Sequence, residues 1–105
     1  MPDGAVGDRD NSLETALSWA EQVRAVRVQV VDEASRGSAT LRDILDRAVT
    51  DPDVAVIKAL VVLEVLPGSG KIIARRTMAS LGLDEAVPFG GLDDAQRDQL
   101  VAAFS

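Results

Sequence analysis

The sequence contains no cysteine, no histidine and no tyrosine, and each absence removes a class of functional site. Without cysteine there is no disulfide, thiol nucleophile or thiolate metal site. Without histidine and tyrosine the chain lacks the commonest general base, the commonest metal ligand and the phenol donor. Nothing in the spacing of its serine, aspartate and lysine residues indicates a catalytic triad or dyad. We therefore expect a protein that is not an enzyme and has no metal, no other cofactor and no small-molecule substrate.

Aromatic residues are also scarce, at 3% of the 105 residues, whereas hydrophobic residues of all kinds make up 47%. This composition predicts one domain with an aliphatic core. The longest apolar run, Ala59–Leu63, is far shorter than a membrane span, and the acidic N-terminus lacks the apolar stretch of a signal peptide. The expectation is a cytoplasmic protein with no membrane partner.

Positive charge is limited and unevenly placed, within a net charge of −6. The segment 58–83 has a local charge of +3, whereas the rest of the chain carries 7 basic and 16 acidic residues. A basic segment can concentrate phosphate at one place, while an acidic remainder repels a long polyanion at low salt. The sequence alone does not decide which effect is larger. The charged residues of the segment are Lys58, Glu64, Lys71, Arg75 and Arg76.

Apolar residues recur at helical spacing through most of the chain, with turn signals between the segments. Residues 1–11 are predicted to be a disordered tail, and an Asn11–Glu14 capping box begins the first helix. The fold predicted for residues 12–105 is a single all-α domain. It consists of a long helix over 12–36 and, over 38–105, a compact bundle of short helices that contains a helix–turn–helix corner.

Within this bundle, helices are predicted over 41–49, from 52 to about 65, over 70–81 and over 93–104. The helix from 52 to 65 is apolar nearly all round, which predicts that it is the central buried helix. Gly37 and Gly82 are predicted to follow helix ends. Asp51 and Asp93 are interpreted as helix caps rather than as metal-binding carboxylates.

The segment Pro67-Gly-Ser-Gly-Lys71 forms the predicted corner between two helices. Glycines let the backbone turn tightly, and the first amides of the following helix have no intrahelical partner and lie at its positive end. Such a helix start can bind an anion, and Lys71 and Arg75 share one helix face at i, i+4 spacing. The alternative is a plain helix–helix turn with solvent-exposed cations. A P-loop is excluded, because Val65 and Ile72 stand where it needs glycine and serine or threonine.

The segment Leu66-Pro-Gly-Ser-Gly-Lys71, with Ala74 following, resembles the helix–hairpin–helix element in its helix-two-turn-helix form. From about Leu13 to Phe104, the chain resembles the actinobacterial type of integration host factor, a family of nucleoid-associated DNA-binding proteins. The resembling positions are Val23-Arg24, Arg27, Arg36-Gly37, Thr40-Leu41, Leu45-Asp46, Ala48, Lys58, Leu63-Glu64, Leu81-Gly82, Gly91-Leu92 and Gln96-Arg97.

The resemblance implies weak, salt-sensitive and non-specific binding of double-stranded DNA through its phosphates, in the nucleoid. The backbone of the corner would hold a phosphate that basic side chains flank, and two further residues match positions that are often basic in the family. The DNA-binding residues implied in this way are Gly68, Ser69, Gly70, Lys71, Arg75, Arg76, Lys58 and Arg97.

The chain departs from the family pattern at two places. Ser69 stands where the corner usually has an apolar residue. Residues 87–90, Val-Pro-Phe-Gly, stand where the family typically has several arginines, and their loss would remove phosphate contacts. Two alternatives therefore stay open. The chain could be a DNA-binding-impaired paralogue that binds a protein partner, or an RNA-binding module, because ribosomal proteins of the small-subunit head use a related corner on RNA.

Overall fold

Six α-helices and one 3₁₀ turn make up the regular structure of the computed structural model, which describes the backbone of residues 2–104 and the side chains of residues 15–104. Among these residues there is no β-strand, so the predicted all-α fold with a long N-terminal helix is confirmed. None of the described helices combines the length and the apolar character needed to cross a membrane. In chain order the elements are α1 (Pro2–Arg36), α2 (Leu41–Thr50), α3 (Pro52–Ala55), α4 (Ala59–Leu63), α5 (Lys71–Ser80), the 3₁₀ turn (Phe89–Gly91) and α6 (Asp94–Phe104).

Side-chain caps fix the start of three helices. Thr40 and Asp43 form a capping box at α2, in which each side chain accepts from the other residue's amide at 3.1 and 3.0 Å. Asp51 caps α3, with proline at the first helical position. Asp93 and Gln96 form the capping box of α6, with hydrogen bonds of 2.7 and 2.9 Å. The interpretation of Asp51 and Asp93 as caps is therefore confirmed.

Helices α1 and α5 end as the sequence predicts. Gly37 follows α1 with a φ of 72°, and Gly82 follows α5 with a φ of 69°. In both places the amide after the glycine donates to a helix carbonyl five residues earlier, at 3.0 Å after α1 and 2.9 Å after α5. This pattern satisfies carbonyls that the helix itself leaves without partners.

At its N-terminus, α1 differs from the prediction. The sequence predicts a disordered tail over residues 1–11, whereas the backbone is helical from Pro2. Extending an existing helix adds one hydrogen bond per residue without a new nucleation step, so a poor helix-forming segment can continue a stable helix. The predicted Asn11–Glu14 capping box concerns side chains that lie outside the described ones.

The single helix predicted from 52 to about 65 is wrong, because the structure divides this segment into α3 and α4. Between them, Lys58 has an extended backbone (φ −65°, ψ 130°) and forms an isolated antiparallel bridge with Pro88. The residues that flank the bridge exchange two backbone hydrogen bonds, of 3.0 and 2.9 Å. These two bonds take the place of helical hydrogen bonds. The segment that pairs with Lys58 and its neighbours, around Pro88, lies thirty residues further along the chain.

The core lies where the C-terminal part of α1 meets the short helices. It is aliphatic except for Phe89, which is fully buried. The N-terminal part of α1 extends away from this core and exposes Leu17 and Trp19, so the molecule measures 59 × 26 × 23 Å. The largest fully buried side chains are Phe89, Ile44, Leu63, Met78, Leu100, Val30, Val54 and Val62.

Candidate nucleic-acid interface

The corner between α4 and α5 is an open turn. Gly68 has a φ of 80°, and Gly70 has φ 115° and ψ 171°, a conformation that is essentially restricted to glycine. A Cβ atom added at either glycine would meet no atom within 4 Å. The outer side of the corner is therefore accessible to a partner that approaches the backbone.

Helix α5 begins at this corner without a side-chain cap. Gly70 is its N-cap residue, and the first intrahelical hydrogen bond runs from the Ala74 amide to the Gly70 carbonyl at 3.0 Å. The amides of residues 71–73 precede this bond and have no intrahelical acceptor. Lys71, the first residue of α5, is exposed beside them. The helix start thus offers amide donors, the positive end of the helix dipole and one ammonium group to an anion.

Ser69 is half-buried inside the turn. Its amide donates to the Leu66 carbonyl at 3.0 Å, and its hydroxyl donates to the Gly70 carbonyl over a long 3.4 Å. Residues Pro67–Ser69 and Ile73 share a shallow hollow with Phe104 at the end of α6. The turn is thus closed by a backbone hydrogen bond and borders the end of α6. It forms although Ser69 stands where the resemblance leads us to expect an apolar residue.

Glu85 lies near two of the predicted basic residues. Lys71, Arg75 and Arg76 are exposed on α5. Arg75 Nε lies 3.9 Å from Glu85 Oε1. Lys58, exposed at the start of α4, lines a groove that Glu64 and Glu85 also line. Glu85 is therefore near both Lys58 and Arg75, a relation that spacing could not indicate because these three residues lie on separate elements.

Arg97 is not part of this group. Its side chain, only 25% exposed, hydrogen-bonds to Asp94 in the first turn of α6. It lines a groove between α2 and α6 to which none of the corner residues contributes. Arg42 lines the same groove, and its Nη2 lies 3.9 Å from Asp98 Oδ1. The two arginines of this groove thus have carboxylate neighbours of their own.

The apolar residues at 87–89 serve the core rather than an exposed surface. Phe89 is fully buried, and Val87 and Pro88 are half-buried. The backbone of the same segment pairs with residues 57–59. The replacement of arginines here therefore has a structural explanation, and the segment offers little apolar surface to a protein partner.

No cluster of three or more histidine, cysteine, aspartate or glutamate residues that could hold a metal occurs in the described part of the chain. The carboxylates of Asp51 and Asp93 cap the starts of α3 and α6. The chemistry available at the corner is therefore that of amide and cationic donors toward an anion.

Known proteins resemble the chain over most of its length. The family model of the S13-like H2TH domain matches residues 35–104, which include the corner. The integration host factor of Mycolicibacterium smegmatis is 33% identical over 95 residues, covering 90% of each chain, and that of Mycobacterium tuberculosis is 32% identical with the same coverage. A solved structure of sIHF bound to an 8 bp palindromic DNA superposes with a TM-score of 0.77 at 28% identity, covering 82% of this chain and 97% of that one.

Proposed function

Because the chain belongs to the actinobacterial-type integration host factor family, we propose that it is a nucleoid-associated protein that binds double-stranded DNA non-specifically, through the phosphate backbone at the α4–α5 corner. One observation carries this proposal. The uncapped start of α5 lies behind a glycine turn that is open to the outside, and Lys71 is exposed beside it. The solved relative with DNA bound supports the same ligand class.

In the proposed complex, a phosphate accepts hydrogen bonds from the amides of residues 71–73. Lys71 neutralises this phosphate, and Arg75 and Arg76, one turn further along α5, contact the neighbouring backbone. Lys58 extends the contact toward α4. These donors meet phosphate oxygens rather than base edges, so they position the protein on the duplex without reading its sequence. We infer an architectural role on the chromosome rather than catalysis.

The acidic remainder of the chain limits the affinity without preventing binding. At physiological ionic strength the Debye length is about 8 Å, so acidic side chains farther than this from the DNA are largely screened. Direct contacts between cations and phosphates persist, because they release condensed counterions. We therefore expect weak binding at physiological salt and clear binding at low salt.

A fluorescence anisotropy titration of a labelled duplex at several salt concentrations tests the proposal. If Lys58, Lys71, Arg75 and Arg76 all engage, the logarithm of the association constant should fall with the logarithm of salt concentration with a slope of about −3 to −4. The Lys71→Ala/Arg75→Ala/Arg76→Ala variant should lose most of this dependence. The proposal fails if the chain shows no salt-sensitive binding even at low salt, or if the triple variant binds as well as the parent.

The same titration, repeated with RNA, separates the RNA-binding alternative from DNA binding. An RNA duplex of the same sequence presents phosphates in A-form geometry, and tighter binding to it than to DNA would favour an RNA-binding module. A protein partner is the less supported alternative, because Phe89, the largest apolar residue of the segment that suggests it, is buried in the core.

A further inference from the structure

We propose that the Glu85 carboxylate holds the place of a DNA phosphate beside Arg75, at the groove that Lys58 also lines, and that it restrains DNA binding until a phosphate displaces it. The inference rests on the DNA-binding function proposed above and concerns its regulation. It extends the phosphate-binding surface from the corner, along α5, to the start of α4.

The first support is the position of the carboxylate. Glu85 Oε1 lies 3.9 Å from Arg75 Nε, and Glu85 lines the same groove as Lys58 and Glu64. A carboxylate beside a guanidinium marks a place where an anion is stabilised. A phosphate offers the same type of acceptor oxygen and pairs well with a guanidinium.

The second support is that the backbone, and not a side-chain rotamer alone, keeps Glu85 at the groove. The Asp84 carboxylate accepts from the Ala86 amide at 2.7 Å, and the Asp84 carbonyl accepts from the Val87 amide at 3.1 Å. The Val87 carbonyl in turn accepts from the Ala59 amide at 3.0 Å, next to Lys58. A turn and the Lys58–Pro88 bridge therefore hold residue 85 near Arg75.

The third support is that the contact is easy to break. The side chains of Glu85 and Arg75 are 61% and 57% exposed, and 3.9 Å is long for an ion pair. Exposed pairs of this kind contribute little to stability, so a phosphate can replace the carboxylate without disturbing the fold. While it remains near the groove, the carboxylate repels the DNA backbone and occupies Arg75. It therefore lowers both the affinity and the number of phosphates engaged.

The variant Glu85→Gln tests this restraint in the full chain, with Asp46→Asn as its matched control. Asp46 is an exposed carboxylate on α2 that lines the separate groove with Arg97. At low salt, Glu85→Gln should bind a DNA duplex about three- to fivefold more tightly than the parent, with a salt slope steeper by about 1. Asp46→Asn should change the affinity by less than about twofold, because it alters only the overall charge.

A double-mutant cycle tests whether Glu85 acts through Arg75. In an Arg75→Ala background the gain from Glu85→Gln should fall toward that of Asp46→Asn, whereas in an Arg76→Ala background it should persist. Equal gains from Glu85→Gln and Asp46→Asn, or an undiminished gain without Arg75, would overturn the proposal. A parent chain that binds no DNA at low salt would instead reject the proposed function itself.

Discussion

The exposed face of α5 and the groove between α2 and α6 both present basic side chains, but their acidic neighbours differ. On α5, three cations are exposed, and among the described side chains only Arg75 has a carboxylate, that of Glu85, within 4.0 Å. In the groove, Arg42 and Arg97 stand against the carboxylates of three aspartates, at positions 46, 94 and 98. The ratio of carboxylates to cations, rather than the type of basic residue, thus decides which region can offer positive charge to a phosphate.

A matched pair of double variants tests most directly whether the α5 face or the α2–α6 groove binds DNA. Lys71→Ala/Arg75→Ala and Arg42→Ala/Arg97→Ala each remove two positive charges. We expect the first to weaken DNA binding at low salt by about thirtyfold and to reduce the salt slope by about 2, because two phosphate contacts are lost. The second should weaken it by less than about threefold. Equal losses in the anisotropy titration would mean that overall charge, and not the α5 face, governs binding.

The backbone of the α5 face can be tested apart from its charges with Gly70→Ala. Alanine at a φ of 115° strains the corner, so we expect a loss of stability of about 1–2 kcal/mol and about tenfold weaker DNA binding. Gly82→Ala is the control, because Gly82 also has positive φ but lies at the far end of α5. It should lower the melting temperature to a similar extent and leave DNA binding of the folded chain unchanged. Equal effects on binding would remove the corner amides from the interface.

The converse test removes acidic residues from the α2–α6 groove. Asp94→Asn/Asp98→Asn leaves Arg42 and Arg97 with one carboxylate, so the groove becomes net positive. We expect DNA affinity at low salt to rise by about threefold or less, since the groove has no open helix start to complete a phosphate site. A rise of tenfold or more in the titration would show that counting charges is enough and that the corner geometry is not required.

The smallest expected effect concerns Arg47, whose guanidinium also has an acidic partner. It donates to the Glu33 carboxylate at 2.6 Å, and this hydrogen bond lowers the pKa of Glu33 below the usual 4.5. A lowered pKa in the folded state means that the pair stabilises the fold above the pKa of the unfolded state. That contribution is lost as the pH falls through the folded-state value.

An NMR titration of the Glu33 carboxyl should therefore give a pKa that moves back toward 4.5 in Arg47→Gln. The same variant should leave DNA binding unchanged, because Arg47 already pairs with the Glu33 carboxylate. A clear loss of DNA affinity in Arg47→Gln would contradict the view that Arg47, with its carboxylate partner, takes no part in DNA binding.

Features that depend on a few neighbouring residues could be predicted from the sequence. The caps at Thr40, Asp51 and Asp93 and the helix ends at Gly37 and Gly82 involve partners two to five residues away, so local patterns contain both members of each contact. The corner belongs to this class as well, because its glycines and the helix that follows are adjacent in the chain. The resemblance to the family supplied what local patterns could not, namely DNA as the ligand.

Features that depend on distant partners could not be predicted. The pattern over 52–65 is helical in every local respect, yet Lys58 takes an extended conformation because its neighbours pair with residues 87–89. The same long-range pairing explains why Phe89 is buried. Arg97 shares a basic position with the family, and its partner Asp94 lies one turn away in α6, whereas the approach of Asp98 to Arg42 depends on how α6 packs against α2. The proposed contact of Arg97 with DNA remains a prediction, and the Arg42→Ala/Arg97→Ala variant tests it.

An all-α chain with a glycine corner before a basic helix follows from the order of the amino acids, because helix propensity, capping and turn formation depend on residues close together in the chain. Which cations lie beside carboxylates of other elements depends on the fold, because an electrostatic interaction is set by the distance between the two side chains. Packing places Glu85 beside Arg75 on α5, and it places Asp98 of α6 beside Arg42 of α2.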